Sequence, residues 1–256
     1  MWPVSSPPQV GTLSTRLAST PEDLRAAQAL RYRVFVQELG GDGPLVDHDA
    51  GLEQDLFDPV FDHLLLIDTE RDETVVGAYR LLPGDRVGSD GRFYSDAEFD
   101  LAPLRQSGRR LLELGRSCVD PAYRGGVAMM LMWQALAEYA VAQRAEILFG
   151  AASFPGADLA ELAQPLSWLH HTHLAAPELR VRARPCDLAH IVPAECLDSR
   201  TARAGVPPLI RSYLRLGASI GEGAFVDHAF NTTDVCILLD VARLSRHAQN
   251  LIGRMG

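Results

Sequence analysis

The stretch LLELGRSCVDPAYRGGVAMML, residues 111–131, constrains the fold more than any other part of the chain. It begins as an apolar β-strand but carries Glu113 and Arg116 inside that strand. Ionised groups are rarely buried unless paired, so such a strand either borders a site or holds a structural ion pair. Asp120-Pro121 then breaks the strand, and Gly125-Gly126 opens an apolar helix over 126–143. Side chains alternate along a flat strand, which would put Glu113 and Arg116 on opposite faces. A bulge near Gly115 would bring them to one face and leave a backbone N–H free.

The rest of the chain supplies the frame. Thr20-Pro21-Glu22-Asp23 is a helix start, with a capping hydroxyl, proline in the first turn and acids at the positive end of the dipole. That helix should run to about Leu39 and stop at Gly40-Gly41. Strands are expected at 61–68, 74–82, 147–153 and 233–240, and helices at 158–174, 208–216 and 241–252. LRVRA, 179–183, is strand-like, and PGDRVGSDG is a loop. Strands in sequence followed by strand–helix–strand imply an α/β fold, a mixed central sheet flanked by helices with a C-terminal strand and helix extension. Residues 1–19 are expected to form a flexible tail, and 20–256 a single domain with no linker inside it.

Composition narrows the function classes. A net charge of −9 argues against nucleic-acid binding, which needs a basic face. No apolar run reaches the ~20 residues of a membrane span, and the start of the chain lacks a secretory pattern. The cysteines (Cys118, Cys186, Cys196 and Cys236) have no metal or disulfide spacing, which fits reduced thiols in the cytoplasm. Every basic residue is arginine, so any anion site must use guanidinium groups or backbone amides. His170, His171 and His173 lack a nearby carboxylate or cysteine, so no metal site is expected there.

The order of strand, V-D-P-x-Y-R-G-G turn and apolar helix resembles the acyl-thioester site of the GNAT acyltransferases. There, backbone N–H groups at the helix start hold the pyrophosphate of coenzyme A. Here Val127 and Met129 stand where that pattern has small residues, which points to acyl carrier protein, with its 4'-phosphopantetheine thioester, as donor and to no separate cofactor. Arg31 to Glu38 (R-Y-R-V-F-V-x-E), Asp55 to Asp58, Gly77 to Pro83 and Glu113 with Arg116 resemble the acyl-homoserine-lactone synthases of the same superfold. That resemblance implies functional roles for Arg31, Phe35, Asp55, Asp58, Arg80, Glu113 and Arg116. The tryptophan expected after the first helix is absent. LSWLHHTHLAAPELRVRARP, PPLIRSYLRLGA and FNTTDVCILLD are similar to the bacterial ornithine–acyl-carrier-protein N-acyltransferases.

The resemblance implies an enzyme that moves a (3-hydroxy)fatty acyl group from acyl carrier protein to the α-amine of an amino acid, with ornithine as acceptor. Glu113 is then the base and Arg116 its catalytic companion. Ser117, Cys118, Val119, Arg124, Gly125 and Gly126 hold the thioester, and Arg31, Phe35, Asp55, Asp58, Arg80 and Asp234 bind the amino acid. Each has a structural alternative: Arg80 with Asp58, or Glu113 with Arg116, as plain ion pairs, and the Met129, Met130, Met132, Trp133 stripe as core. An acyl-homoserine-lactone synthase, a synthase with a neutral acceptor and a non-catalytic carrier-protein-binding module remain as alternatives. A lipid product is compatible with peripheral contact at the inner membrane.

Overall fold

The computed structural model describes residues 9–87 and 91–244. Two short strands open it, β1 (Gln9–Val10) and β2 (Leu13–Leu17), followed by helix α1 (Pro21–Arg31). The start of α1 is a full capping box, with the Thr20 hydroxyl and the Asp23 carboxylate each accepting a backbone N–H of the other's end. The helix continues as a π-helical segment, Tyr32–Glu38, which ends where Gly40-Gly41 was expected to stop it. Then come β3 (Asp62–Asp68), β4 (Thr74–Pro83), β5 (Phe99–Asp100), α2 (Ala102–Gln106) and β6 (Leu111–Val119). The second half holds α3 (Gly126–Ala142), β7 (Ile147–Pro155), α4 (Ala163–His173), β8 (Arg182–Ala183), α5 (Ser199–Gly205), α6 (Pro208–Leu216), β9 (Ser219–Ile220), β10 (Phe225–Asp227) and β11 (Thr232–Asp240).

Among the described residues one sheet runs in the order β1-β2-β3-β4-β6-β7-β11-β10, with β9 also on β11. All its ladders are antiparallel except β6 with β7. On one face α3, α4 and α6 bury Leu131, Leu136, Tyr139, Leu169 and Ile210 against Leu64, Leu81, Leu112 and Leu148. On the other, α1 and the π-helical segment after it pack Ala27, Leu30 and Val34 on Leu65, Val75, Ala78 and Cys118, and Phe93, Phe99 and Leu104 cover Leu82, Phe149 and Leu238. Each such leucine or phenylalanine removes apolar surface worth about 1.5–3 kcal/mol.

Four expectations need correction. Residues 13–17 belong to the sheet, because Leu13, Ser14, Thr15, Arg16 and Leu17 pair in register with β3; of the expected tail, 1–8 lie outside the described residues. The strand at 179–183 shrinks to β8, since Pro177–Leu179 forms a 3₁₀ turn. After β11 the chain makes a 3₁₀ turn at Val241–Arg243, and 245–252 of the expected last helix lie outside the described residues. In α3, Met132 is core, but Met130 is 42% exposed, so the methionine stripe is not all interior.

Candidate active site

The two central strands of the sheet part company. β6 and β7 pair only where Leu111, Leu112 and Glu113 face Ile147, Leu148 and Phe149, and then diverge. Gly150 stands at the fork: a Cβ there would lie 2.1 Å from the Leu114 carbonyl oxygen, so no other residue fits without moving backbone. On the opposite edge of β6, Ala78 pairs with Cys118 but Arg80 pairs with Gly115, which leaves Arg116 and Ser117 facing Tyr79 alone. This is the expected bulge, one residue further along, and Arg116 adopts a φ of 49° to make it. The alternation is thereby reset. Arg116 joins Glu113 on one face, against Tyr94, while Ser117 hydrogen-bonds Tyr79 within the core under α3.

The fork opens a cavity of about 260 Å³ lined from both faces of the sheet. Leu114, Tyr79, Ala152, Leu209, Tyr213 and Ile237 form its apolar side, toward α3 and α6. Its other side is polar: Arg116, Tyr94, Glu98, Asp227 and Asp234, with Phe35 and Phe230 at the rim. Arg116 lies over the Tyr94 and Phe230 rings, 4.8 Å from each centroid, and donates to the Tyr94 hydroxyl at 3.1 Å.

Carboxylate oxygens of Glu98, Asp227 and Asp234 lie within 4.8 Å of one another. Glu98 Oε2 and Asp234 Oδ1 are buried with no hydrogen-bond partner. Burial, and then the charge of Asp234, raise the Glu98 carboxyl well above the usual range; burial pushes Asp234 up to about 6. Such a trio suits a cation, either an ammonium or a hard metal ion with oxygen ligands. Sequence reasoning missed Glu98, which lies in a loop with no motif around it.

The other predicted polar residues form a separate, closed network. Arg31 pairs with Glu53 at 2.5 Å and with both oxygens of Asp58 at 2.7 and 2.8 Å. Arg80 reaches Asp55 at 2.6 Å and Asp58 at 2.9 Å, and Arg116 reaches Glu53 at 3.1 Å. Three guanidinium groups thus meet three carboxylates, and Arg31 is fully buried. Arg31, Asp55, Asp58 and Arg80 do not line the cavity. They set the position of Arg116 through Glu53 and Asp55, which corrects the expectation that they touch the amino acid. Glu53 escaped notice because its loop carries no periodic pattern.

Glu113 needs a similar correction. It is buried off the cavity wall, and its two oxygens accept the backbone N–H groups of Tyr94 and Ser95 at 2.9 and 2.7 Å. Burial raises its carboxyl to about 6, those donors restraining the rise. Its place is to hold the 94–98 loop, and hence Tyr94 and Glu98, over the fork. Cys118 packs beneath α1 with its thiol pushed up to about 12 by burial, so it is neither a cavity residue nor a ready nucleophile. Ser117 lines the cavity. Beyond Val119, Arg124 donates to the Val119 carbonyl and forms a two-point pair with Glu38 at 2.5 and 2.6 Å. Gly125 and Gly126, exposed at the start of α3, have no heavy atom within 4 Å of where a Cβ would stand. The first turn of that helix, with no side-chain cap, is therefore open for an anion.

An acetyltransferase (GNAT) domain model matches residues 30–134, the segment from α1 into α3. Among solved structures, FeeM, an N-acyl amino acid synthase from uncultured soil microbes, superposes with a TM-score of 0.54 at 13% identity, over 93% of this chain and 97% of that one. TofI in a ternary complex with an inhibitor and MTA gives 0.53 at 19% identity, over 95% and 97%. At these identities the likeness is one of fold. Sequence relatives are much nearer. An L-ornithine N(alpha)-acyltransferase of Rhodobacter capsulatus is 58% identical over 90% of this chain and 90% of its own length. The enzyme of that name from Agrobacterium fabrum is 44% identical over 93% and 84%. A forked GNAT sheet with a bulged strand at the fork, and this degree of identity along nearly the whole length, place the chain in the L-ornithine Nα-acyltransferase family, as an acyltransferase.

Proposed function

We propose that the protein transfers a fatty acyl group from acyl carrier protein to the α-amine of L-ornithine. The observation that carries this reading is the cavity through the β6–β7 fork, apolar on one side and lined by Arg116 and carboxylates on the other. The acyl chain occupies the apolar side, and the thioester carbonyl lies at the bulge, whose unpaired backbone N–H receives the oxyanion. Arg116 binds the carboxylate of the amino acid. The α-ammonium gives a proton to Glu98, the free amine attacks the carbonyl carbon, and the C–S bond breaks. As it breaks, the attacking nitrogen gives up a second proton; the departing pantetheine sulfur takes up one of the two and the other leaves Glu98 for solvent, giving an amide and a thiol. Glu98 replaces Glu113 as base because it faces the cavity and has an unoccupied oxygen.

Acyl carrier protein is favoured over coenzyme A by Val127 and Met129 at the helix start. No helix among the described residues is long and apolar enough to cross a membrane. The test is incubation with 3-hydroxyacyl-loaded acyl carrier protein and a panel of amino acids, with mass spectrometry of the products. Expected is N-acylornithine as the main product. Equal efficiency with acyl coenzyme A at low salt would overturn the donor assignment, and a neutral amino acid as best acceptor would overturn ornithine.

A further inference from the structure

The α-amine and the side-chain ammonium of a diamino acid need different places, and the sheet supplies two. The thioester gap lies between β6 and β7. Asp234 is on β11, the next strand, where it faces Ser153 of β7; Asp227 is on β10, one strand further, and its register with Thr232 puts it on the same face as Asp234. Neighbouring strands are about 4.8 Å apart. Three methylenes and a terminal nitrogen, extended, reach roughly 5 Å from Cα, with C–C bonds of ~1.5 Å. An amino acid attacking in the gap therefore carries its side-chain end to Asp234.

We propose that Asp227 and Asp234, next to the base Glu98, form a recognition site for the side-chain ammonium of the acceptor, and that these two aspartates select linear diamino acids over neutral amino acids of the same length. The inference rests on the acyl-transfer reading above and names what distinguishes its acceptor. Acidic clusters are common, but this one is enclosed: Glu98 is 3% and Asp234 4% exposed, both line the cavity, and one oxygen of each is buried without a hydrogen-bond partner. A desolvated carboxylate without a partner is costly, and a cation arriving with the substrate removes the cost. An ammonium fits better than a divalent metal because Arg116, a permanent cation, shares the cavity. A metal ion would face that charge, whereas an amino acid brings its own carboxylate to neutralise it.

The experiment uses the full chain with acyl carrier protein as donor, and L-ornithine and L-norleucine as acceptors. Norleucine has the same length, with a methyl in place of the ammonium. The ratio of kcat/KM for ornithine to that for norleucine should fall about 10- to 100-fold in Asp234→Asn, the scale of a lost hydrogen bond between charged groups. Asp227→Asn, on a half-buried edge position, should lower it in the same direction and guards against a folding defect in the first variant. Without acceptor, Asp234→Asn should melt close to the unmodified chain, since the amide keeps an oxygen for the Ser153 and Thr232 side chains that Asp234 bonds. A ratio unchanged in both variants, or equal losses for both acceptors, overturns the proposal. So does loss of activity in EDTA restored by Mg²⁺ or Ca²⁺, which would make the trio a metal site. If the unmodified chain acylates neither amino acid, the acyl-transfer reading fails by itself. Calorimetric binding of ornithine and norleucine to both proteins then still tests the trio, and equal affinities would reject it.

Discussion

Asp58 is the residue on which the closed network turns, and Asp58→Asn measures what the network contributes. Asp58 accepts from Arg31 at two points, from Arg80, and from Gln28 at 2.8 Å. Breaking a buried pair by removing one partner costs about 3–5 kcal/mol. Asparagine preserves the volume, and Arg31 and Arg80 retain Glu53 and Asp55, so the lower end of about 3 kcal/mol applies. For a chain of this size that lowers Tm by roughly 6–12 °C. The effect has a pH signature. Burial alone would raise the Asp58 carboxyl, but the hydrogen bonds and charges of Arg31 and Arg80 outweigh it and hold the group well below the usual range. Its contribution is thus fully present above the unfolded value of about 3.9 and is lost as pH falls toward the folded one. Thermal melts of both proteins at pH 7 and near pH 3 should show a gap that narrows on acidification. A variant melting within about 2 °C of the unmodified protein at pH 7 would refute the argument, because it would mean that the three carboxylates are in excess of what the guanidinium groups need.

Glu98→Gln should lower turnover by about 10²–10⁴-fold. It should also abolish the rise of rate with pH that a carboxylate base of raised pKa imposes, a point settled by pH–rate profiles of the two proteins. Because burial raises the Glu98 carboxyl, its ionisation disfavours the fold above the unfolded pKa, so the same variant should melt higher at pH 8. Gly150→Ala should damage stability and kcat together, since the new Cβ meets backbone at the fork; a soluble, fully active variant would show that the fork widens freely. Glu38→Gln frees Arg124, and the KM for the acyl-carrier donor should fall and become more sensitive to salt if that guanidinium meets the donor's phosphate. Unaltered donor kinetics would remove Arg124 from the thioester site.

How much of this was legible in the sequence depended on how local the signal was. β6 and α3 were readable because an apolar strand, a proline break and a diglycine helix start follow one another within residues 111–131. The bulge could be inferred because Glu113 and Arg116 conflict with strand alternation. Glu113 itself was misassigned because the donors that occupy it come from the backbone of residues 94 and 95, which no side chain announces. Arg31, Asp55, Asp58 and Arg80 were recognisable as a set, but whether a set of charges closes on itself or opens to a cavity depends on tertiary distances. Glu53, the acid that Arg31 and Arg116 share, sits in an irregular loop. Leu13–Leu17 was hidden by the serine- and proline-rich residues before it, although its side chains alternate like those of any strand.

The fork divides the labour between two parts of the chain. The parts proposed to meet the thioester (the bulge, the start of α3, the network behind Arg116) lie within the 30–134 segment matched by the acetyltransferase model, apart from the β7 edge. The acids proposed for the acceptor's far end, Asp227 and Asp234, come from strands roughly a hundred residues later, on the far side of β7. A lineage can therefore exchange one amine for another by altering a few positions on β10 and β11, while the inherited machinery for opening an acyl thioester stays intact. The same arrangement makes acceptor choice an evolvable trait, carried by an edge of the sheet that the chemistry does not need to keep fixed.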